Sequence, residues 1–472
     1  MSPQTAPRLP YRPADARLAL RGRLTLRLKA GTHHEAIPTL HAIQRAGAAP
    51  ALALDGGPVD QALRRRSAGL FAGRLFRPAG RLGGGWDETE RAHGLDRTFR
   101  VDLDPASGLV DTLAALRDLD AVEEASACYL CQAPFGLGGH GPGDPGAFDR
   151  VGATRALAIE PGDSALIVAV VDSGAALRHP ELQGALRPGA DLVDLDRERL
   201  SRGLQLMGDT TGRDRDPQDD VGHGTAALSI IGARGRKVHP GLAGAARLLP
   251  IRAMARALRE GSAEPTAVGS IPDIDAAVKL AVDLGARVLN LSFGTPACAL
   301  GPDDPIPHAA VMAYAAARGC ILVAASGNSG IDERYYPAAL PAVIAVGAVD
   351  SGGRPSRFST RGDHVALCAP GEHIPAAAVD GYQEVTGTSF AAPFVAGAAA
   401  LLLARANRNA VALTPDELRQ TLIATAAPFP AAASGCGAGV LDLPAALRAL
   451  DEATGPRPAT PFAPLWPNAA PL

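Results

Sequence analysis

The sequence predicts an α/β protein: a doubly wound, mostly parallel sheet with helices on both faces, preceded by a small α+β domain. Two observations carry this expectation. Between residues 165 and 349, near-continuous apolar runs alternate with stretches of helical period, as in parallel strands buried on both faces. Before residue 130, strand-like and helix-like segments follow one another as in a βαββαβ, ferredoxin-like unit. The stretch APFGLGGHGPGDPGAFD (133–149) is rich in Gly and Pro, lacks periodicity and reads as the linker between the two.

At 472 residues the chain exceeds what one hydrophobic core usually serves, so two domains with tails are expected. Residues 1–17 are Pro-rich and read as disordered, 18–132 as the α+β domain and 150–452 as the larger α/β domain. The Pro-rich tail 453–472 reads as unpacked. Within the first domain, LTLRLKA (24–30) alternates like a strand and HEAIPTLHAIQRAG (34–47) has helical period with an early proline. FRVDL (99–103) is a second strand, SGLVDTLAALRDLD a helix, and AVEEASACYL (121–130) the last strand. The stretch 62–96 is longer than such a unit needs and reads as an insertion; Arg64, Arg65 and Arg66 within it read as a solvated helix face.

In the larger domain, ALIVAVVD (165–172), ARLLPIRAM (246–254), ARVLNLSF (286–293), CILVAAS (320–326) and AVIAVGAV (342–349) are the expected strands. DIDAAVKLAVDLGA (273–286) and PHAAVMAYAAARG (307–319) are the helices between them. Strands joined by helices of this length imply right-handed crossovers. Asp172 falls at the carboxyl end of its strand, where open α/β sheets place their sites.

Three short segments each set one reactive side chain where an apolar element meets a glycine-flanked turn: VAVVDSG at Asp172, VGHGTAA at His223 and TGTSFAAP at Ser389. Each residue alone has a plain structural reading. Asp172 suits an Asx-turn, His223 a surface position after an Asp220 helix cap, and Ser389 a cap on an apolar helix whose Pro393 fits only near its start. Together they are the parts that turn a weak hydroxyl into a nucleophile. A serine at a helix start also aims backbone N–H groups at a developing oxyanion.

With HGT at His223 and GTSxAxP at Ser389, the chain resembles the subtilisin-like serine proteases, the subtilases, from about Ile167 to about Leu447. The resemblance extends to ILVAASGNSG (321–330), where it makes Asn328 an oxyanion-hole donor. LNLSFGT (289–295) resembles the strand that pairs with substrate. The resemblance makes Ser292, Phe293 and Gly294, with Ala325, Ser326 and Gly327, the two backbone edges that hold an extended peptide. It implies a serine endopeptidase acting on proteins or peptides, with Asp172, His223 and Ser389 as the triad. It also implies that the N-terminal domain is a propeptide, an intramolecular inhibitor of a zymogen; Val122-Glu123-Glu124-Ala125 fits the end of such domains. Ala226 and Phe394 depart from residues common at those positions, and neither removes a catalytic atom. A catalytically silent scaffold on the same fold, and an esterase using the same triad, stay open as alternatives.

Composition narrows the rest. A formal net charge of −3 argues against nucleic acid as a partner, and no segment reads as a membrane span. The N-terminus carries Arg and Asp where a signal peptide needs an apolar core, so a cytoplasmic location and a narrow task are expected, with export by another route left open. A monomer is expected. Cys128-x-x-Cys131 has the spacing of half a zinc site or a redox pair, but no second pair completes it. Cys320 and Cys368 read as reduced core residues. No cofactor is required. Asp214, Asp216, Asp219 and Asp220 are calcium-ligand types without the alternation of an EF-hand, and ARGRKVH (233–239) is cationic where some relatives carry a calcium loop, so calcium is doubtful. Gly162-Asp163-Ser164 resembles an esterase signature but precedes a strand and reads as a turn. Asp303 and Asp304, beside the expected specificity pocket, either favour a basic substrate side chain or belong to a solvated loop.

Overall fold

The computed structural model describes residues 19–453 except 35, 81–84, 134–135, 138–142, 201–202 and 261–264; the expectations for residues 1–17 and for the tail beyond 453 lie outside them. The N-terminal unit runs β1 (Ala19–Leu28), α1 (Leu40–Ala46), α2 (Pro58–Arg64), β2 (Leu70–Arg74), α3 (Glu88–Ala92), β3 (Thr98–Leu103), α4 (Leu109–Arg117) and β4 (Val122–Ala133). Its strands pair antiparallel in the order β2-β3-β1-β4. Alternation explains the core: Leu24 and Leu26 of β1 stand opposite Val101 and Phe99 of β3, and all four are fully buried with Leu113 and Leu116 of α4.

Two expectations for this unit are corrected. The helix begins at Leu40 and not at 34, because Pro38 disfavours helical backbone before it, and Thr39 then caps the new start by accepting from Ala42 N at 3.1 Å. The stretch 62–96 is not an insertion throughout: it supplies β2, an edge strand of five residues, too short for alternation to register. Gly73 of β2 lets α1 approach, since a methyl there would lie 2.7 Å from Ile43 Cδ1 and 2.8 Å from Leu40 Cδ2.

The second unit continues with β5 (Gly136–Leu137), α5 (Ala147–Arg150), α6 (Ala153–Ile159), β6 (Ile167–Asp172), β7 (Ala190–Asp191), β8 (Leu204–Leu206), α7 (His223–Gly232) and β9 (Arg247–Arg252). Then follow β10 (Ala255–Arg259), β11 (Pro265–Ser270), α8 (Ile271–Asp283), β12 (Val288–Leu291), β13 (Thr295–Pro296), α9 (Ala309–Ala317) and β14 (Ile321–Ala325). The chain closes with β15 (Tyr335–Tyr336), β16 (Val343–Val349), β17 (Val365–Pro370), β18 (Ile374–Ala377), β19 (Tyr382–Thr386), α10 (Thr388–Arg408), α11 (Pro415–Ala424) and α12 (Leu443–Ala453).

The five expected strands are β6, β9, β12, β14 and β16, set in a parallel sheet of order β17-β16-β14-β12-β6-β9-β7. Successive residues of β6 serve opposite faces. Val168 and Val170 pack with α7 and α10, whereas Ile167, Ala169 and Val171 pack with α8 and α9. The chain leaves β6 for β9 on one side and β12 on the other, so Asp172 ends the strand at the switch point of the sheet. α10 is long and apolar enough by composition to cross a membrane, yet 94% of its most apolar stretch is buried in this core.

The two units share one sheet. The second half of β4 leaves β1 and pairs with β11, giving the order β2-β3-β1-β4-β11-β10-β8. The expected linker 133–149 therefore starts inside a strand, and its described parts also supply β5, which pairs with β19, and α5. On β4 the side chains of Cys128 and Cys131 enter different cores on opposite faces of the sheet, so they cannot share one ion. Burial pushes the Cys131 thiol up to about 12 and Cys128 higher still, so neither is a reactive thiolate. Among the described residues no disulfide joins any of the six cysteines.

Buried charges also cross between the units. Lys279 of α8 lies 2.7 Å from both Glu90 and Asp283, and Glu90 is fully buried. Arg100 pairs with Asp194, whose carbonyl also accepts from Arg23 at 2.8 Å. Removing one member of such a network leaves an uncompensated buried charge. Lys279→Met is expected to destabilise the full chain by about 3–5 kcal/mol in chemical denaturation; a change below about 0.5 kcal/mol would show that the network contributes nothing.

Candidate active site

Asp172 is fully buried at the end of β6, and its Oδ1 accepts from Ser173 N at 2.7 Å. The Nδ1 of His223, first residue of α7, lies 2.7 Å from Oδ1 and 2.9 Å from Oδ2. The glycines on either side of His223 make this approach available. Gly222 adopts φ 98°, a left-handed conformation that favours glycine. A methyl on Gly224 would lie 2.4 Å from Gly174 O, so helix and strand end touch through backbone. The expected cap, Asp220, is not the one used. Asp219 accepts from Val221 N, Gly222 N, Thr225 N and Thr225 Oγ1 at 2.6–3.0 Å, while Asp220 lies 3.5 Å from Arg252.

Ser389 is the second residue of α10, a helix of 21 residues, where the Thr388 N–H is taken by Asn328 Oδ1 and the Phe390 N–H by Gly387 O. Its hydroxyl donates to Ser292 O at 3.2 Å. Pro393, one turn on, has no N–H to give to the Ser389 carbonyl. Ser292 Oγ donates to that carbonyl instead, at 2.7 Å, and is held in turn by Asn290 Nδ2 at 2.8 Å. The neighbouring Phe390 ring packs on the His223 imidazole with centroids 5.0 Å apart. Asn328 follows β14. Its Oδ1 accepts from Thr388 N at 3.0 Å and Thr388 Oγ1 at 2.8 Å, which turns the amide nitrogen toward Gly387, just before the serine.

The segments read as peptide-holding edges emerge from neighbouring parallel strands: Ser292, Phe293 and Gly294 after β12, Ala325 at the end of β14, then Ser326 and Gly327. The chain's own N-terminal segment occupies part of this ground. Gln132 bridges antiparallel to Gly294, with β11 on the other side of β4. Beyond it, Gly136 and Leu137 pair with Thr386 and Val385 of β19, immediately upstream of Gly387. β11 is thus an edge that the sequence reading missed; its signal was PTAVGS, a short apolar run between proline and helix cap. Asn290 and Thr388 were missed too, because their roles depend on neighbours distant in the chain.

Asp304 is held by Arg117 at 2.8 Å and Tyr129 at 3.2 Å, both of the N-terminal unit, and by Gly301 N, whereas Asp303 is exposed. Asp214 accepts from Asp216 N and Asp219 is fully engaged as above. Among the described residues no group of three or more His, Cys, Asp or Glu side chains is arranged to hold a metal ion.

The comparisons with known proteins agree with this geometry. The subtilase family profile matches residues 163–439. A thermophilic serine proteinase from Bacillus sp. (strain AK1) is 35% identical over 56% of this chain, and the match spans 57% of that protein's length. Thermitase from Thermoactinomyces vulgaris is 32% identical over 58% of this chain and 88% of its own. Among solved structures, the prenylagaramide maturation protease PagA is similar with a TM-score of 0.52 and 28% identity, covering 64% of this chain and 99% of that one. With its doubly wound sheet, its buried Asp–His pair and a family match over more than half its length, the chain belongs to the subtilase family.

Proposed function

We propose that the protein hydrolyses peptide bonds through an acyl-enzyme on Ser389. The observation that carries this reading is the fully buried contact of Asp172 with His223 Nδ1 at 2.7 and 2.9 Å, beside the N-terminus of α10. With Nδ1–H donated to the carboxylate, the far ring nitrogen is the proton acceptor. Ser389 Oγ attacks the scissile carbonyl carbon and gives its proton to His223. Collapse of the tetrahedral intermediate breaks the C–N bond as His223 returns that proton to the leaving amine. Water then repeats the cycle and frees the acid. Asn328 Nδ2 and the Ser389 N–H are the oxyanion donors. Labelling by a fluorophosphonate, mapped to Ser389, tests the reading; a chain that neither labels nor cleaves peptides refutes it.

Asn328→Ala keeps the nucleophile and removes one donor whose strength is realised in the transition state. The expected loss is about 10²–10³-fold in kcat, about 2.7–4 kcal/mol, a magnitude that comes from subtilisin, a relative. KM should change little.

In the same reading the N-terminal unit is a propeptide that occludes the cleft until cut. Support comes from β4 running on β11 and past Gly294, and from β5 on β19. An extended chain in that position excludes a substrate competing for the same backbone hydrogen bonds.

A further inference from the structure

We infer that Tyr335 fills the slot for the substrate side chain next to the scissile bond, so that the enzyme cleaves after residues with small side chains: Gly, Ala and Ser. This deepens the proposed function and rests on it. The slot lies between the two edges that flank Ser389. Each edge presents a glycine, Gly294 and Gly327, and the Tyr335 ring lies against both. A methyl on Gly294 would lie 3.1 Å from Tyr335 Cδ1. One on Gly327 would lie 2.7 Å from Cδ2 and 2.9 Å from Cε2. Opposite sides of one ring therefore rest on the two edges.

The ring is fixed there. Tyr335 is 6% exposed, and β15 pairs with β13, which continues directly from Gly294: Tyr335 stands opposite Pro296, and Tyr336 opposite Thr295. Tyr335 O also accepts from Ala339 N at 2.7 Å, and Thr360 Oγ1, 2.8 Å from the same methyl position on Gly327, narrows the slot further. Two glycines facing each other make a flat opening suited to a large planar side chain, and here the protein supplies that side chain itself. A substrate side chain beyond a methyl or hydroxymethyl would have to displace a buried aromatic ring from a close-packed setting. In the intact chain Asp304 of the neighbouring loop is turned to Arg117 and Tyr129 and accepts from Gly301 N.

The test is a set of otherwise identical peptides with Gly, Ala, Leu, Phe or Lys before the scissile bond, given to the enzyme obtained by expressing the full chain. The wild type is expected to cleave the Ala peptide with kcat/KM at least about 10-fold above the Phe peptide, the order that one pocket contact commands. Tyr335→Gly should raise the Phe-to-Ala ratio of kcat/KM by about 10-fold or more, while Tyr335→Phe, which keeps the ring, should retain the wild-type ranking. Wild-type cleavage that favours Phe, Leu or Lys overturns the inference while leaving the serine protease reading intact, and this arm needs no variant to fold. A folded Tyr335→Gly enzyme with an unchanged Phe-to-Ala ratio also overturns it. Absence of fluorophosphonate labelling and of all cleavage would remove the proposed function and the inference with it.

Discussion

Ser389→Ala is expected to lower kcat for peptide hydrolysis by about 10⁶-fold, the order found when the nucleophile of the related subtilisin triad is removed. The substitution deletes only the hydroxyl. The bond from Ser292 Oγ to the residue's carbonyl, the packing of Phe390 on His223 and the cap of α10 by its glycine turn all survive it, so the folded state should be unchanged. Residual activity would come from oxyanion stabilisation and binding alone. The same variant separates a propeptide from a permanent domain. If the N-terminal unit is removed by the enzyme itself, intact mass should show a shortened chain for the wild type and a full-length chain for Ser389→Ala. Hydrolysis that survives at more than a hundredth of the wild-type rate would remove Ser389 from the nucleophile's role.

Asp172→Asn is expected to cost about 10⁴-fold in kcat with little change in KM, as it does in the trypsin-like version of the triad. The contacts around Asp172 show why an isosteric change is so damaging. Ser173 N–H already donates to Oδ1, so an amide here would keep its oxygen there and set its NH₂ in place of Oδ2, 2.9 Å from His223 Nδ1. A donor that close disfavours a proton on Nδ1 and shifts the imidazole toward the tautomer protonated on the other ring nitrogen. That nitrogen can then no longer accept from Ser389. Fluorophosphonate labelling should slow in parallel, while denaturation midpoints stay close to wild type. An Asp172→Asn enzyme within 10-fold of wild type would mean that the buried carboxylate does not set the tautomer of His223.

Much of the larger domain was legible because burial on both faces forces a continuous apolar run, and β6, β9, β12, β14 and β16 are such runs. The contact of Asp172 with His223 was legible for a different reason: close approach of helix and strand ends demands glycine, and Gly222 and Gly224 mark those places. Short elements left little trace. β2 has five residues and β5 two, too few for a period, and their pairing is decided by β3 and β19 elsewhere in the chain. The support beneath the nucleophile was hidden in the same way, since the need for Ser292 Oγ arises only from Pro393, which deprives the Ser389 carbonyl of its usual donor. Asp219 and Asp220 are neighbours of one type, and only three-dimensional placement says which of them holds the turn before His223.

The sheet that the two units share constrains the order in which the chain can fold. β10, β11 and β8 form an antiparallel ribbon, and β11 is its border toward β4. Without residues 122–133 that border presents unpaired backbone groups, the kind of strand edge that recruits other chains. The N-terminal strands, by contrast, pair among themselves around a core drawn only from their own unit, so they need no strand of the ribbon to form. An early N-terminal unit would therefore offer β4 as a template on which the later ribbon can align. The segment that bridges to Gly294 in the folded chain would first have set the register of the strands beside it.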